Sequence, residues 1–177
     1  MVAAGAALAD EVGLAHLTMG LLAGRLGVRT PSLYKHVAGQ DDLNRRIAAL
    51  ALSEAADAVG SAVQGRAGRD ALAAAARAFR AFVLAHPGRY AATIGVEPTG
   101  PDDPVAAASR RLLDAFMAVL RGYRIGEADV DHALRMLRSL FHGFATLQAA
   151  DGFQWSADID ESFAWLIDFA DRGLRAG

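Results

Sequence analysis

A chain of 177 residues with a formal net charge of −2 is long enough to bury a sizeable core and is not a bulk polycation. Any binding to nucleic acid must therefore depend on a local basic patch. The chain contains no Cys, which excludes disulfides and thiolate chemistry. It has no apolar run of about 18 residues or more and no signal-like N-terminus, so we expect no membrane partner and a cytoplasmic location.

The segment from Thr18 to Val37 predicts two short helices joined by a tight turn. Thr18 is a good N-cap for the first helix, and Gly27 is the natural left-handed residue at its end. Thr30 and Pro31 then start the second helix, with Thr as the cap and Pro at the first helical position. This pattern is typical of a helix-turn-helix, whose second helix reads the major groove of DNA.

The outward side chains around the second helix suit DNA. Most of them can donate a hydrogen bond to a phosphate oxygen or a base edge, and no carboxylate lies between Ala15 and Asp41. The predicted DNA-binding residues are Thr18, Arg29, Thr30, Pro31, Ser32, Tyr34, Lys35 and His36. Two short helices joined by a glycine turn also occur in all-α proteins with no role in DNA binding, and that is the alternative interpretation of the pattern.

The rest of the chain predicts further helices. A helix over residues 41–58 begins with two Asp residues that suit its positive N-terminus, and residues 60–69, with three glycines, are the predicted linker. Later helices are predicted at residues 70–85, 88–96, 104–122, 127–150 and 158–173. Asp103 and Asp158 are N-caps for the helices that follow them. No segment alternates with period two, so we expect an all-α fold without a sheet.

The run from Leu8 to Leu43 resembles the DNA-binding domain of tetracycline-repressor-type (TetR) regulators. The matching pieces are Glu11-Val12-Gly13-Leu14, Leu17-Thr18, Leu22-Ala23, Leu26-Gly27-Val28, Leu33-Tyr34 and His36-Val37. The resemblance implies a homodimer with an N-terminal three-helix helix-turn-helix domain, residues 1–58 including the linking helix, and a C-terminal ligand-binding and dimerisation domain, residues 59–177. It implies a repressor that releases a palindromic operator in double-stranded DNA when a small ligand fills the C-terminal domain.

A second resemblance covers the C-terminal part. Residues 137–153, followed by 160–163, resemble the TetR C-terminal domain class that is known for a Trp-His-Gly motif. The motif reads Phe141-His142-Gly143 in this chain, with Phe in place of Trp, and the five residues from His86 to Tyr90 match the same class.

Two positions depart from the family pattern in ways that bear on DNA binding. Gly20 stands where such proteins often carry Arg, and Gln40 stands where a Lys commonly meets a phosphate. Residues 1–52 carry five basic and four acidic residues, a net charge of only +1. The alternative function is therefore a dimeric small-molecule-binding protein whose DNA-binding head, the N-terminal domain of residues 1–58, is weakened or lost.

Apolar stripes on the last two helices predict the dimer interface. The predicted interface residues are Leu140, Gly143, Phe144, Leu147, Phe163, Leu166, Ile167 and Ala170. The alternative, an intramolecular core, explains part of each stripe.

Large apolar and aromatic residues on three helices predict an effector site for a mostly hydrophobic small molecule. Its predicted residues are Phe79, Phe82, His86, Tyr90, Phe116, Met117, Leu120, Met136 and Phe141. The five His residues lack the spacing of metal ligands, and no Ser lies in a nucleophile elbow. We therefore expect no metal, no cofactor and no enzymatic activity.

Overall fold

The computed structural model describes residues 1–176, which form nine α-helices and no strand. The helices are α1 (Val2–Val12), α2 (Met19–Leu26), α3 (Thr30–Leu33), α4 (Gln40–Val63), α5 (Gly68–Ala85), α6 (Pro87–Ala91), α7 (Pro104–Leu120), α8 (Val130–Ala149) and α9 (Ile159–Ala176). Short 3-10 turns at Leu14–His16 and Glu127–Asp129 precede α2 and α8. The all-α expectation is confirmed.

The first three helices and the start of α4 enclose a small apolar core. Its members are aliphatic side chains at helical spacing, which is why these short helices are stable together although none of them is long enough to be stable alone. The buried residues are Ala6, Leu8, Ala9, Leu17, Met19, Leu22, Ala23, Leu33, Val37, Leu43 and Ile47.

Helix α4 runs further than the sequence predicts. It ends at Val63 rather than at residue 58, so the predicted linker shrinks to residues 64–67. The physical reason is burial: Ala55 and Val59 are fully packed, and this packing outweighs the low helix propensity of Gly60. Helix α6 is shorter than predicted and ends at Ala91. The N–H groups of Ala92, Thr93 and Ile94 donate to carbonyls three residues back, which forms turns rather than an α-helix, and Gly95 is then left-handed.

Both predicted caps in the later part of the chain are confirmed. The Oδ1 atom of Asp103 accepts a hydrogen bond of 2.9 Å from the backbone N–H of Val105, at the start of α7. The Oδ1 atom of Asp158 accepts one of 2.9 Å from the N–H of Glu161, at the start of α9.

The contacts of the chain divide it into two compact units. The first unit comprises residues 1–54 together with 86–111, and the second comprises residues 55–85 together with 112–177. The segment 86–111, which the sequence division assigned to the C-terminal domain, therefore packs with the N-terminal helices. The reason is local: α6 makes direct backbone and ionic contacts with α1.

Aromatic rings from four helices form the interior of the second unit. Phe116 on α7 lies between Phe79 on α5 and Phe141 on α8, with ring centroids 6.0 and 6.2 Å apart. Phe141 in turn meets Phe163 on α9 edge-on, at 6.4 Å. These separations lie within the range of favourable aromatic pairs, so the rings hold the four helices together.

Candidate nucleic-acid interface

Helix α2 and the turn after it have the geometry that the sequence predicts. The hydroxyl of Thr18 accepts a hydrogen bond of 3.2 Å from the N–H of Leu21, which confirms the N-cap. Gly27 has φ 66° and ψ 27°, a left-handed conformation that favours glycine. The N–H of Val28 donates to the carbonyl of Ala23 at 3.0 Å, which closes the end of the helix.

Helix α3 begins one residue earlier than predicted. The carbonyl of Arg29 accepts from the N–H of Ser32 at 2.8 Å, so Arg29 is the N-cap residue, Thr30 is the first residue of the helix and Pro31 the second. The prediction that Thr30 caps α3 is therefore wrong. Its position leaves the Thr30 side chain within the first turn, where a helix that enters the major groove contacts bases.

The predicted DNA-binding residues share one property, which is access to solvent. Thr30 is half-buried, and the other seven, which are Thr18, Arg29, Pro31, Ser32, Tyr34, Lys35 and His36, are exposed. Leu33 and Val37, by contrast, are buried in the core below. The structure thus gives α3 one face that packs and one polar face that is accessible to a ligand.

Ion pairs reduce the positive charge that the first unit presents. Arg25 is paired with Glu11 on α1, Arg46 with Asp42 one turn away, and Arg45 with Asp103. The hydrogen bonds from Arg25 lower the pKa of Glu11 below its ordinary value, so both partners stay charged at neutral pH.

Two basic residues of the head differ from these three. Within residues 1–176, the side chains of Arg29 and Lys35 make no hydrogen bond or ion pair. Their charges lie beside and directly after α3, and they are thus available to phosphate oxygens.

The two positions that depart from the family pattern lie at helix starts. Gly20 is in the first turn of α2, and the nearest atom to a Cβ placed there is the Thr18 hydroxyl oxygen, at 3.8 Å. A side chain at this position would therefore fit. Gln40 is the first residue of α4 and donates a hydrogen bond of 3.0 Å to the side chain of Asn44.

Three of the predicted interface residues belong to the core of the chain itself. Phe163, Ile167 and Ala170 are each only 1% exposed, and they face α5 and α8. For these three the intramolecular alternative holds, which corrects the interface prediction. Of the others, Leu147 is 51% exposed, and Leu140, Gly143, Phe144 and Leu166 are half-buried.

The exposed side of α9 carries aromatic residues that the sequence analysis missed. Trp165 is 65% and Phe169 52% exposed, and Trp155 in the preceding loop is 83% exposed. The sequence signal for Trp165 and Phe169 is their spacing of i, i+4, which marks a second apolar stripe on an amphipathic helix. They border a cavity of about 340 Å³, lined by Leu140, Phe144, Phe153, Trp155, Ala157, Ile159, Ser162, Trp165, Leu166 and Phe169.

The nine predicted effector residues are divided between the two units. His86 and Tyr90 lie in the first unit, where His86 Nδ1 is 3.3 Å from a carboxylate oxygen of Asp10. The other seven lie in the second unit, where Phe79, Phe82, Leu120 and Phe141 are buried and Phe116 and Met117 are half-buried. Met136 borders a separate surface cavity of about 370 Å³ with Asp129 and His132.

Within residues 1–176, no helix has both the length and the apolar character that crossing a membrane requires. In the same part of the chain, no group of three or more His, Asp or Glu side chains is arranged to hold a metal ion.

A capped α2, a left-handed glycine turn and an exposed polar α3 define a helix-turn-helix protein. Residues 72–170 match the protein family described as "Tetracyclin repressor-like, C-terminal domain". The chain is 32% identical to the HTH-type transcriptional regulator YobS of Bacillus subtilis, over 94% of this chain and 86% of YobS. It is 33% identical to the HTH-type regulator Rv0681 of Mycobacterium tuberculosis, over 89% of this chain and 72% of that protein.

A solved structure extends the comparison to the whole fold. A TetR variant from Acinetobacter baumannii, crystallised in complex with minocycline, superposes with a TM-score of 0.70 and is 27% identical, covering 99% of this chain and 96% of that one. The chain belongs to the TetR family of helix-turn-helix transcriptional regulators. The resemblance to TetR regulators seen in the sequence is thereby confirmed.

Proposed function

We propose that this protein is a homodimeric repressor that binds a palindromic operator through α2 and α3 and releases it when a small hydrophobic effector binds. The observation that carries the proposal is the accessible polar face of α3, with Lys35 and Arg29 beside it and Leu33 anchored below. Thr30 and Ser32 lie in the first turn and read base edges, whereas Lys35 contacts phosphate. The complex forms in the cytoplasm, and we assign no catalytic step to the chain.

Dimerisation is required by the charge of the head. With only Arg29 and Lys35 outside internal ion pairs, one head gains little from counterion release. Two heads on one dimer bind two half-sites together and add their contacts. The interface that we propose consists of the outward residues of α8 and α9, namely Leu147, Trp165, Leu166 and Phe169.

The effector acts through the second unit. The related Acinetobacter protein was crystallised with minocycline, a small molecule, which supports a ligand of comparable size here. The residues proposed to contact the effector are those on α5, α7 and α8, with Phe82 and Phe116 as the principal aromatic contacts. Because these rings are closely packed, the effector must displace side chains, and its binding energy is then used to change the conformation of the dimer.

Selection from a randomised duplex pool at low salt tests this proposal. The wild-type protein is expected to enrich a pseudo-palindrome whose half-sites are about one helical turn apart or slightly more. A variant with Thr30→Ala and Ser32→Ala is the matched control, because it alters base readout without touching the core. It is expected to lose the preference for the palindrome while keeping weak binding to any duplex.

A second function, a dimeric small-molecule-binding protein with a weakened head, is favoured by the ion pairs of Arg25, Arg45 and Arg46. The combined substitution of Gly20→Arg and Gln40→Lys distinguishes the two. If the wild-type protein enriches no palindrome but this variant binds DNA, the head is weakened and the second function is correct. If neither binds DNA while both are folded dimers, DNA binding through α3 is excluded.

A further inference from the structure

The cavity of about 340 Å³ beside the exposed side of α9 has three walls. Helix α8 forms the first wall, α9 forms the second, and the loop of residues 150–158 forms the third, here called the loop wall. All three belong to the second compact unit. The volume lies in the lower part of the range of about 300–1,000 Å³ that is usual for pockets that hold small molecules.

The lining of this cavity carries no charge. Nine of its ten residues are apolar or aromatic, and the tenth is Ser162. The hydroxyl of Ser162 donates a hydrogen bond of 2.8 Å to the carbonyl of Asp158, so its proton is already used. A charged ligand would lose its hydration here without gaining a partner, which is costly. An uncharged aromatic molecule would instead bury apolar surface against the aromatic rings of the lining.

The loop wall begins with a tight turn at the end of α8. The N–H of Gly152 donates to the carbonyl of Leu147 at 2.7 Å, and Asp151 has a φ of 51°, a left-handed conformation that is uncommon outside glycine. A Cβ atom placed on Gly152 would lie 2.9 Å from the same carbonyl oxygen. The turn returns the chain towards α8, where the ring of Phe153 packs on that of Phe144 with centroids 4.7 Å apart.

Arg80 on α5 contacts the helices at both ends of the loop wall. Its Nε donates to the side-chain oxygen of Gln148, near the end of α8, at 2.7 Å. Its Nη2 lies 2.7 Å from a carboxylate oxygen of Asp160, in the first turn of α9. Its guanidinium carbon lies 5.6 Å from the ring centroid of Phe144 and 4.7 Å from that of Phe163, within the range of cation–π contacts. One side chain, only 12% exposed, thus fixes the two helix ends that the loop joins.

We propose that this cavity binds a small uncharged aromatic molecule, and that Arg80 is a positioning residue that holds the loop wall in place. The site is separate from the proposed effector site, because Phe82 and Phe116 do not line the cavity. A second copy of the chain is the alternative occupant, since Trp165 and Phe169 line the cavity and are also more than half exposed. A concave cavity of this volume suits a small molecule better than the convex face of a helix.

Two fluorescent probes with the same aromatic groups test the site on the full-length protein. N-phenyl-1-naphthylamine is uncharged, whereas 1-anilinonaphthalene-8-sulfonate carries a sulfonate. The chain has only two Trp residues, Trp155 and Trp165, and both line the cavity, so energy transfer from Trp to a bound probe reports on this site. We expect one uncharged probe to bind per chain with strong energy transfer, and the anionic probe to bind roughly tenfold more weakly or less.

Variants of the loop wall and of Arg80 locate the probe. Ala157→Phe fills the cavity from an exposed position and is expected to weaken binding of the uncharged probe roughly tenfold. Arg80→Met loses both polar contacts, so we expect severalfold weaker binding and faster amide exchange in residues 150–158 while α7 keeps the wild-type rate. Arg80→Lys keeps one of these contacts and should show a smaller effect. Arg77→Met, at an exposed position one turn earlier on α5, is the matched control and should change neither.

Equal binding of the two probes, or no effect of Ala157→Phe, would overturn the proposed site. If Phe116→Ala weakens probe binding and Ala157→Phe does not, the probe occupies the proposed effector site instead. If probe binding weakens as the protein concentration rises and the chain dimerises, a second copy fills the cavity, which also overturns the proposal. Unchanged probe binding and loop exchange in Arg80→Met would refute the role of Arg80. These readouts need no DNA, so they stand whether or not the proposed function fails.

Discussion

Trp165 and Phe169 stack on the outward side of α9, with ring centroids 5.6 Å apart and planes inclined by 16°. Their exposure in a single chain is costly for such large apolar groups and indicates a surface that another molecule covers. Under the proposed function this molecule is a second copy of the chain.

Replacing Trp165 with Glu is expected to convert the dimer to a folded monomer. A carboxylate at the centre of an apolar interface would be buried without a partner, which costs more than the contact contributes. Light scattering at micromolar concentration measures the change in mass, and circular dichroism checks that the helices remain. A folded Trp165→Glu dimer would refute this interface.

Ile167→Glu tests a core position of α9, in contrast to the interface position tested by Trp165→Glu. Because Ile167 is only 1% exposed, the substitution places a charge in the core of the chain rather than at the proposed interface. The expected result is loss of cooperative unfolding or of soluble protein. If Ile167→Glu gives a folded monomer instead, α9 must rotate in the dimer.

Lys35→Ala is expected to reduce the dependence of operator affinity on salt by about one unit of the log–log slope per head. The reason is that Lys35 has no ion pair within residues 1–176 and contributes its full charge to phosphate. Fluorescence anisotropy across a salt series measures the slope. Arg25→Ala is the control, and its effect is expected to be smaller because Glu11 already neutralises Arg25. Equal slopes in the two variants would contradict this assignment.

Gly88→Ala is expected to destabilise the first unit, because the added methyl group meets the backbone of Ala9 and forces α6 away from α1. Overpacking of this kind costs about 1–3 kcal/mol or more. Gly60→Ala, in the middle of α4 with open space around a Cβ, is expected to stabilise by about 0.5–1 kcal/mol. Urea unfolding of both variants measures the difference, and a neutral Gly88→Ala would show that the two helices can separate freely.

Phe82→Ala and Phe116→Ala are expected to weaken effector binding while operator affinity stays nearly intact. Both residues lie in the second unit, outside the DNA-binding head. Removal of a large aromatic side chain also costs stability, about 3 kcal/mol or more where the ring is fully buried. A screen of hydrophobic ligands by thermal shift measures both effects. Loss of stability without any change in ligand response would assign these rings to the core alone.

Asp103→Asn is expected to remove part of the pH dependence of stability. Hydrogen bonds from Thr99 and from the N–H of Val105 lower the pKa of Asp103 from 3.8 to about 2. A carboxyl group whose pKa is lower in the folded state stabilises the fold above its unfolded pKa, and this contribution disappears as the pH falls through the folded value. The melting temperatures of wild type and variant should therefore differ most above about pH 5 and converge towards about pH 2. A constant difference over this range would contradict the lowered pKa.

The sequence by itself determined the local structure around the helix-turn-helix. Thr18, Gly27 and Pro31 act through their own backbone and side-chain geometry, over distances of a few residues. The structure has α2 and the turn where that chemistry predicts them, and α3 begins one residue earlier. The same holds for the caps at Asp103 and Asp158, and for the absence of strands in residues 1–176. The family, too, could be identified from motifs in this part of the chain.

Only the tertiary structure decided which helix faces are core and which are exposed. The periodicity of Phe163, Ile167 and Ala170 is compatible both with a core and with a dimer interface. Packing of α9 against α5 and α8 places these three residues in the core. The ion pairs of Arg89 and Arg45 join residues that are far apart in sequence, so no local pattern predicts them. The length of α4 was decided in the same way, because the burial of Val59 outweighs the preference of Gly60 for a less regular backbone.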